Sequence, residues 1–223
     1  MTKTAATIVT DETLSQGLRF LAERDADINC ILCEIGPPPL WERAAGFPTL
    51  VHIILEQQVS LASARAAFER LLSLASPLTP ERFLELDDAT LKLVGFSRQK
   101  IGYCRHLSAS ILGGGLDLAA LDALDDDRAR SELIKMKGIG RWTADIYLLM
   151  ALRRPDVWPS GDLALAEAVR RAKGLASRLA QDELELAGEL WRPWRAVAAR
   201  LLWHYYLSSR KGRRVSSEAN GGD

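Results

Sequence analysis

Cysteine, histidine and aromatic residues are all scarce in this 223-residue chain, at three, three and 7%. An odd cysteine count leaves no fully paired disulfide set, and none of His52, His106 and His204 stands at metal-ligand spacing from a cysteine. Cys30 and Cys33 form a C-x-x-C, but it lies inside the helical-looking stretch DADINCILCEIG and reads as packing. Long apolar runs are missing too: stretches such as Ile146 to Leu152 fall far short of the roughly 20 residues that a membrane span needs. The opening MTKTAATIVT carries neither a sustained apolar core nor a cleavage site after one, so no secretory signal and a cytoplasmic compartment are expected. Net charge is also absent, with 29 Lys+Arg against 29 Asp+Glu, which argues against a uniformly polyanion-seeking surface. What remains is ordinary globular composition, 48% hydrophobic and 26% charged, in a chain long enough to bury a core without a metal or disulfide staple.

The charge is nevertheless segregated along the chain. Residues 1–127 hold 11 Lys+Arg against 18 Asp+Glu, residues 128–214 hold 18 against 9, and the tail from 215 adds two negatives. That asymmetry permits a basic face for nucleic acid at zero net charge, but a solvated surface would look the same. Apolar residues at three- and four-residue spacing in LSQGLRFLAER, LVHIILEQQVSLASARAAFERLLSLA, RWTADIYLLMALRR and WRAVAARLLWHYYL predict helices, and no alternating segment predicts a strand. GPPP, SPLTP, GGG, GIG and PSG punctuate the chain into about ten short helices. The closing RKGRRVSSEANGGD is polar and reads as a disordered, solubilising tail.

One segment carries more information. LIKMKGIGRWTADIYLLM (133–150) reads as helix, tight G-I-G turn, helix. Gly138 and Gly140 permit positive φ and close backbone approach, Ile139 plugs the turn, and Ala144 lets the helices pack closely. The second helix begins near Arg141, and its first N–H groups, at the positive end of the helix dipole, suit a phosphate oxygen, flanked by Lys137 and Arg141. Twenty-two residues after Gly140, VWPSGDLALAEAVRR sets Asp162 at a Pro-Ser-Gly turn before another helix, where an aspartate alone is an ordinary N-cap.

The pattern L-x-x-M-x-G-I-G-x-x-T-A, with Thr143 as its threonine, resembles a helix-hairpin-helix, the sequence-independent reader of DNA backbone. With the Gly/Pro-rich loop and Asp162 it resembles the DNA glycosylases of the helix-hairpin-helix superfamily, and within them the DNA-3-methyladenine glycosylase II family. LVHIILEQQVSLASARA (50–66), VGFSRQKIGY (94–103) and WRPWRAVAARLLW (191–203) extend the resemblance from about residue 12 to 207. It implies an all-α, two-part helical fold with the active-site cleft between the halves. One half would be 12–48 plus 165–207, the other 49–164 with the hairpin at 128–152, and 208–223 the disordered tail.

The activity implied is that of a monofunctional DNA glycosylase excising alkylated purines, such as 3-methyladenine and 7-methylguanine, in base-excision repair. Cleaving an N-glycosidic bond builds positive charge on the sugar, and Asp162 would stabilise it as a carboxylate. The target base must leave the duplex for a pocket with stacking faces; Trp142 and Trp203 match family positions lining that pocket. Tyr147 is a further pocket candidate, beside Ile146, which holds a family position that can be aromatic. Gln58 matches the residue that fills the gap left by the flipped base. Backbone carbonyls of Ile134, Met136 and Ile139 would hold a Na or K ion bridging the hairpin to a phosphate. Lyase relatives carry a Schiff-base lysine where this chain has Trp142, although Lys135 or Lys137 could substitute. No cofactor is required, and no iron–sulfur cluster is expected, because no cysteine follows Cys104. The expected partner is double-stranded DNA with damaged bases, met as a monomer in the cytoplasm, or at the nucleoid in a bacterium, with no membrane involved. His52, Trp191 and Trp194 read as structural. A glycosylase for oxidised or deaminated purines and a non-catalytic helix-hairpin-helix binding module are the other readings.

Overall fold

The computed structural model describes residues 8–219, and among these it is all-α, with no strand. Twelve α-helices follow one another. They are α1 (Asp11–Ala22), α2 (Ala26–Ile35), α3 (Phe47–Glu56), α4 (Leu61–Leu74), α5 (Pro80–Glu85), α6 (Asp88–Val94), α7 (Arg98–Leu112), α8 (Asp126–Ile134), α9 (Arg141–Met150), α10 (Leu163–Ala172), α11 (Gln181–Gly188) and α12 (Arg195–Ala219). Short 3-10 turns cover Ala120–Ala123 and Glu189–Trp191. Most starts are written in the sequence as side-chain caps: Thr10, Asp25, Ser60, Thr79, Asp87, Ser97, Asp125 and Asp162 each accept a hydrogen bond from an amide of the helix they open. Helices α3 and α9 differ, opening on Gly46 and Gly140 with no side-chain cap. No helix among the described residues is long and apolar enough to cross a membrane.

The chain divides into two compact units. One joins the N-terminal residues through Trp41 to those from Arg153 onward. Leu14, Leu18 and Leu21 of α1, Ile28 and Ile31 of α2, Leu165 and Val169 of α10 and Val197, Leu201 and Leu202 of α12 form its core. Gly17 is needed where α1 meets Trp194, because a Cβ there would lie 2.9 Å from the indole. Trp191 donates from Nε1 to Asp25 at 2.9 Å, and Lys173 reaches the same carboxylate at 2.7 and 2.8 Å. Burial works against the Asp25 charge, yet these donors hold its carboxyl below the ordinary carboxylate range.

The second unit is Glu42–Leu152. Its central helix is α3, whose Leu50, Val51, Ile53, Ile54 and Leu55 are at most 1% exposed and therefore meet neighbours on nearly every side. Helices α4, α7 and α9 pack against it. His52 stacks on Phe68 with ring centroids 4.3 Å apart, and Phe83 meets Phe47 edge-on and Phe96 at a tilt.

Three expectations change here. The units part at 41/42 and 152/153, rather than at 48/49 and 164/165, because the loop bearing Asp162 is sewn to the terminal segments. Arg153 O accepts from Val9 N–H at 2.7 Å, Pro155 O from Ala196 N–H at 2.9 Å, and Asp156 Oδ1 from Arg195 Nε at 2.9 Å. The tail expected to be disordered continues α12 to Ala219, since propagating a helix costs far less than starting one; its residues 220–223, like residues 1–7 of the opening segment, lie outside the described residues. Cys30 and Cys33 are exposed, not packed, because Ile28 and Ile31 form the buried side of α2.

Candidate nucleic-acid interface and carboxylate

The hairpin lies between Ile134, the last residue of α8, and Arg141, the first of α9. Gly138 turns the chain at φ +89°, and the ring of Tyr103 on α7 rests against it so closely that a Cβ would fall 2.1 Å from Cγ. No side chain other than hydrogen fits that position. Ile139 N–H donates to Met136 O at 3.0 Å, and Ile139 and Ala144 are buried as expected of a plug and a close-packing position. Gln57, at the end of α3, ties the turn down from within: its Nε2 donates to Gly138 O at 2.9 Å and to Thr143 Oγ1 at 3.0 Å. Thr143 is 2% exposed, so its hydroxyl steadies the turn instead of offering itself to DNA.

Outside the turn, the leading amides of α9 have no side-chain cap, and Gly140, Lys137 and Arg141 are exposed around them. Arg141 Nε lies 3.7 Å from Asp145, an aspartate buried between the hairpin helices and bound by Arg130 Nε at 2.6 Å. Burial opposes the Arg130 charge, but Asp145 and Asp127 raise its pKa above the ordinary arginine value. The Lys135 ammonium is engaged by Glu132 at 2.7 Å.

Beside the hairpin opens a groove of about 780 Å³, lined by the turn, by Gln58, and by Lys100 and Tyr103 of α7. Gln58 is exposed at the α3–α4 turn in a left-handed backbone conformation, φ +57°, one residue after Gln57 has left the helix as its C-cap. Lys100 Nζ donates to Leu55 O at 2.7 Å, capping the carbonyl end of α3, and burial pushes its ammonium below the ordinary lysine range. Trp142, the second residue of α9, is half-buried. Tyr147 is fully buried, and its hydroxyl oxygen accepts from Gly46 N–H at 2.9 Å. It therefore serves the packing of α3 against α9, a correction to its place as a pocket face. Ile134, at the carbonyl end of α8, is exposed, while the Met136 carbonyl already accepts one amide and keeps a second lone pair.

In the terminal unit, Asp162 sits where the sequence places it, capping α10. Its Oδ1 accepts from Leu165 N–H at 2.7 Å and from Trp203 Nε1 at 3.1 Å, while its own amide closes the turn onto Pro159 O at 2.9 Å. The structure thus joins Asp162 with Trp203, and Lys137, Gly138, Gly140, Arg141 and Gln58 around one groove and turn. Sequence reasoning missed Gln57, Tyr103 and Lys100, although all three stand in the quoted segments EQQVS and GFSRQKIGY. It also missed Trp41, held at φ +47° with its ring edge-on to His204 at 6.3 Å, for which the loop GPPPLW gives no signal.

A family model described as the HhH-GPD superfamily of base excision DNA repair proteins matches residues 51–196. The chain is 29% identical over 184 residues to the Bacillus subtilis protein YfjP, spanning 79% of this chain and 64% of that protein. It is 27% identical over 166 residues to the DNA-3-methyladenine glycosylase 1 of Schizosaccharomyces pombe, 73% of each. Its fold is similar to the solved structure of the S. pombe 3-methyladenine DNA glycosylase Mag1 in complex with abasic DNA, with a TM-score of 0.79 and 26% identity over 84% of this chain and 95% of that one.

Proposed function

Because the chain belongs to the HhH-GPD superfamily of base excision DNA repair proteins, we propose that it is a monofunctional DNA glycosylase that removes alkylated purines from duplex DNA. The observation that carries the reading is Asp162, a carboxylate fixed at the start of α10 by Leu165 N–H and Trp203 Nε1. Departure of the base breaks the bond between the sugar C1′ and the ring nitrogen, and the bonding pair leaves with the base. A base alkylated on a ring nitrogen is already cationic, so it accepts that pair and departs neutral without a proton donor. The positive charge passes to the sugar, where Asp162 stabilises it; a water then bonds to C1′ and loses a proton. Relatives named as 3-methyladenine glycosylases support this substrate class.

The duplex would be held by the uncapped amides of α9 at the Gly138–Gly140 turn, with Lys137 and Arg141 beside the phosphate. Three neutral carbonyl oxygens, of Ile134, Met136 and Ile139, are a donor set suited to Na or K, which would neutralise phosphate charge there. Gln58, exposed in its left-handed backbone conformation, would occupy the gap left by the flipped base. Trp142 stands where lyase relatives have their Schiff-base lysine, so the product is an abasic site with intact backbone. We place the enzyme on DNA as a monomer, in the cytoplasm or at a bacterial nucleoid.

The test is incubation with methylated duplex, chromatography of released bases, and borohydride trapping. Release of 3-methyladenine or 7-methylguanine, slowed about 10²–10³-fold by Asp162→Asn and leaving no trapped adduct, is expected. Duplex binding with no release from any alkylated substrate would make the chain a binding module instead, and a trapped adduct would overturn the monofunctional assignment.

A further inference from the structure

Asp162 receives two donors on one oxygen, and they come from different helices. The first, Leu165 N–H at 2.7 Å, is the ordinary N-cap bond from the helix that Asp162 opens. The second, Trp203 Nε1 at 3.1 Å, comes from α12 and restrains from another direction the side chain's last torsion, which is broad for aspartate. Its own direction is fixed. Leu201 and Leu202 before it are fully buried, α12 packs along α10, and an indole has one donor and no acceptor, so it cannot reverse its role. The ring is only 9% exposed, so Trp203 offers the site its N–H more than its face.

We propose that Trp203 is a positioning residue that holds the Asp162 carboxylate plane in one orientation toward the reacting sugar; this rests on the glycosylase reading. A carboxylate that need not reorient as charge develops stabilises the transition state better than the bound substrate, so the contribution falls on the rate of the chemical step and not on duplex affinity.

Trp203→Phe tests this by keeping an aromatic ring and deleting the donor. Under single-turnover conditions with methylated duplex and matched folded protein, release of 7-methylguanine at saturating enzyme is expected to fall about 10-fold, with the half-saturating concentration unchanged. In an Asp162→Asn background the same substitution should cost nothing further. Equal fractional losses in both backgrounds, or an effect confined to half-saturation, would assign Trp203 to stacking or packing and overturn the positioning role.

A second measurement needs no tryptophan variant. In 1H–15N spectra the Trp203 indole resonance should move on Asp162→Ala, while those of Trp158 and Trp191, which donate to Leu184 O and Asp25, stay in place. An unmoved Trp203 resonance sinks the proposal even if Trp203→Phe does not fold. Absence of base release from the wild type overturns the glycosylase reading itself, and so the two failures are told apart.

Discussion

Asp162 caps α10 in the structure, and the proposed glycosylase activity would give the same carboxylate a second duty that substitution separates from the first. As an N-cap it needs only an acceptor, which asparagine supplies, so Asp162→Asn should shift unfolding stability by no more than a few tenths of a kcal/mol. As a charge stabiliser it needs the anion, and its loss should slow base release by about 10²–10³-fold. Parallel urea melts and release assays check both; a loss of rate matched by a loss of stability would return Asp162 to a structural cap. Gly138 is the opposite kind of residue, one whose side chain matters by being absent. An alanine there meets the Tyr103 ring at 2.1 Å and sits at φ +89°, so Gly138→Ala should destabilise the protein by about 1–3 kcal/mol. Removing the ring tells the two causes apart. In a Tyr103→Ala background the same substitution should cost less, since only the backbone strain remains, and an unchanged cost would show that the ring contact is not what demands glycine.

Between α3 and the hairpin, two neighbouring glutamines show how far an element can be read from its letters. Both stand in EQQVS, yet Gln57 turns inward to Gly138 O and Thr143 Oγ1 while Gln58 is exposed. Gln57→Leu should cost about 1–2 kcal/mol of stability and, on the proposed function, weaken binding to damaged and undamaged duplex alike, because the turn it anchors would read backbone, not base. Gln58→Ala should leave stability unchanged and lower retention on abasic duplex alone; the reverse assignment would show in the same pair of melts and binding curves. Helices, caps and the G-I-G turn were legible because they are local: apolar spacing, a Ser/Thr/Asp before most starts, and glycine where φ is positive. Asp162 was legible for the same reason, as a cap. What supports the turn was not, since Tyr103 and Gln57 reach it across 35 and 81 positions of sequence, and nothing in GFSRQKIGY says which face of α7 meets which glycine. Tyr147 and Thr143 came from the resemblance, and a family position does not say whether a hydroxyl is already engaged inside, as both are here.

At the scale of the whole molecule, the charge segregation read along the chain dissolves once the chain folds. Glu42–Leu152 holds 13 Lys+Arg against 14 Asp+Glu, and the terminal unit 16 against 15, so each is within one charge of neutral. DNA affinity must then come from cations placed locally, and its salt dependence should be shallow. Lys137→Ala is expected to reduce the slope of log K against log salt by about 0.9, the signature of one phosphate contact, and a slope unchanged would remove Lys137 from the interface. Acid should act on folding through a different residue. His52 is stacked on Phe68 inside the second unit, and burial pushes its pKa below 6.5, outweighing Glu56, which lies 3.7 Å from its Nε2 and opposes the shift, while Arg43, bound to Glu56 at 2.7 and 3.1 Å, adds to it. The native state therefore resists a proton that the unfolded chain accepts. Stability linked to this group is complete above pH 6.5 and declines as pH falls from 6.5 toward the lowered native value, whereas the Asp25 contribution, whose native pKa lies below 3.8, is lost only at lower pH. Urea midpoints measured from pH 8 to pH 5 should fall for the wild type and stay nearly flat for His52→Gln, since glutamine carries no proton to gain. Parallel slopes for the two proteins would place the acid sensitivity elsewhere, and a wild-type midpoint that rises on acidification would contradict the direction of the His52 shift itself.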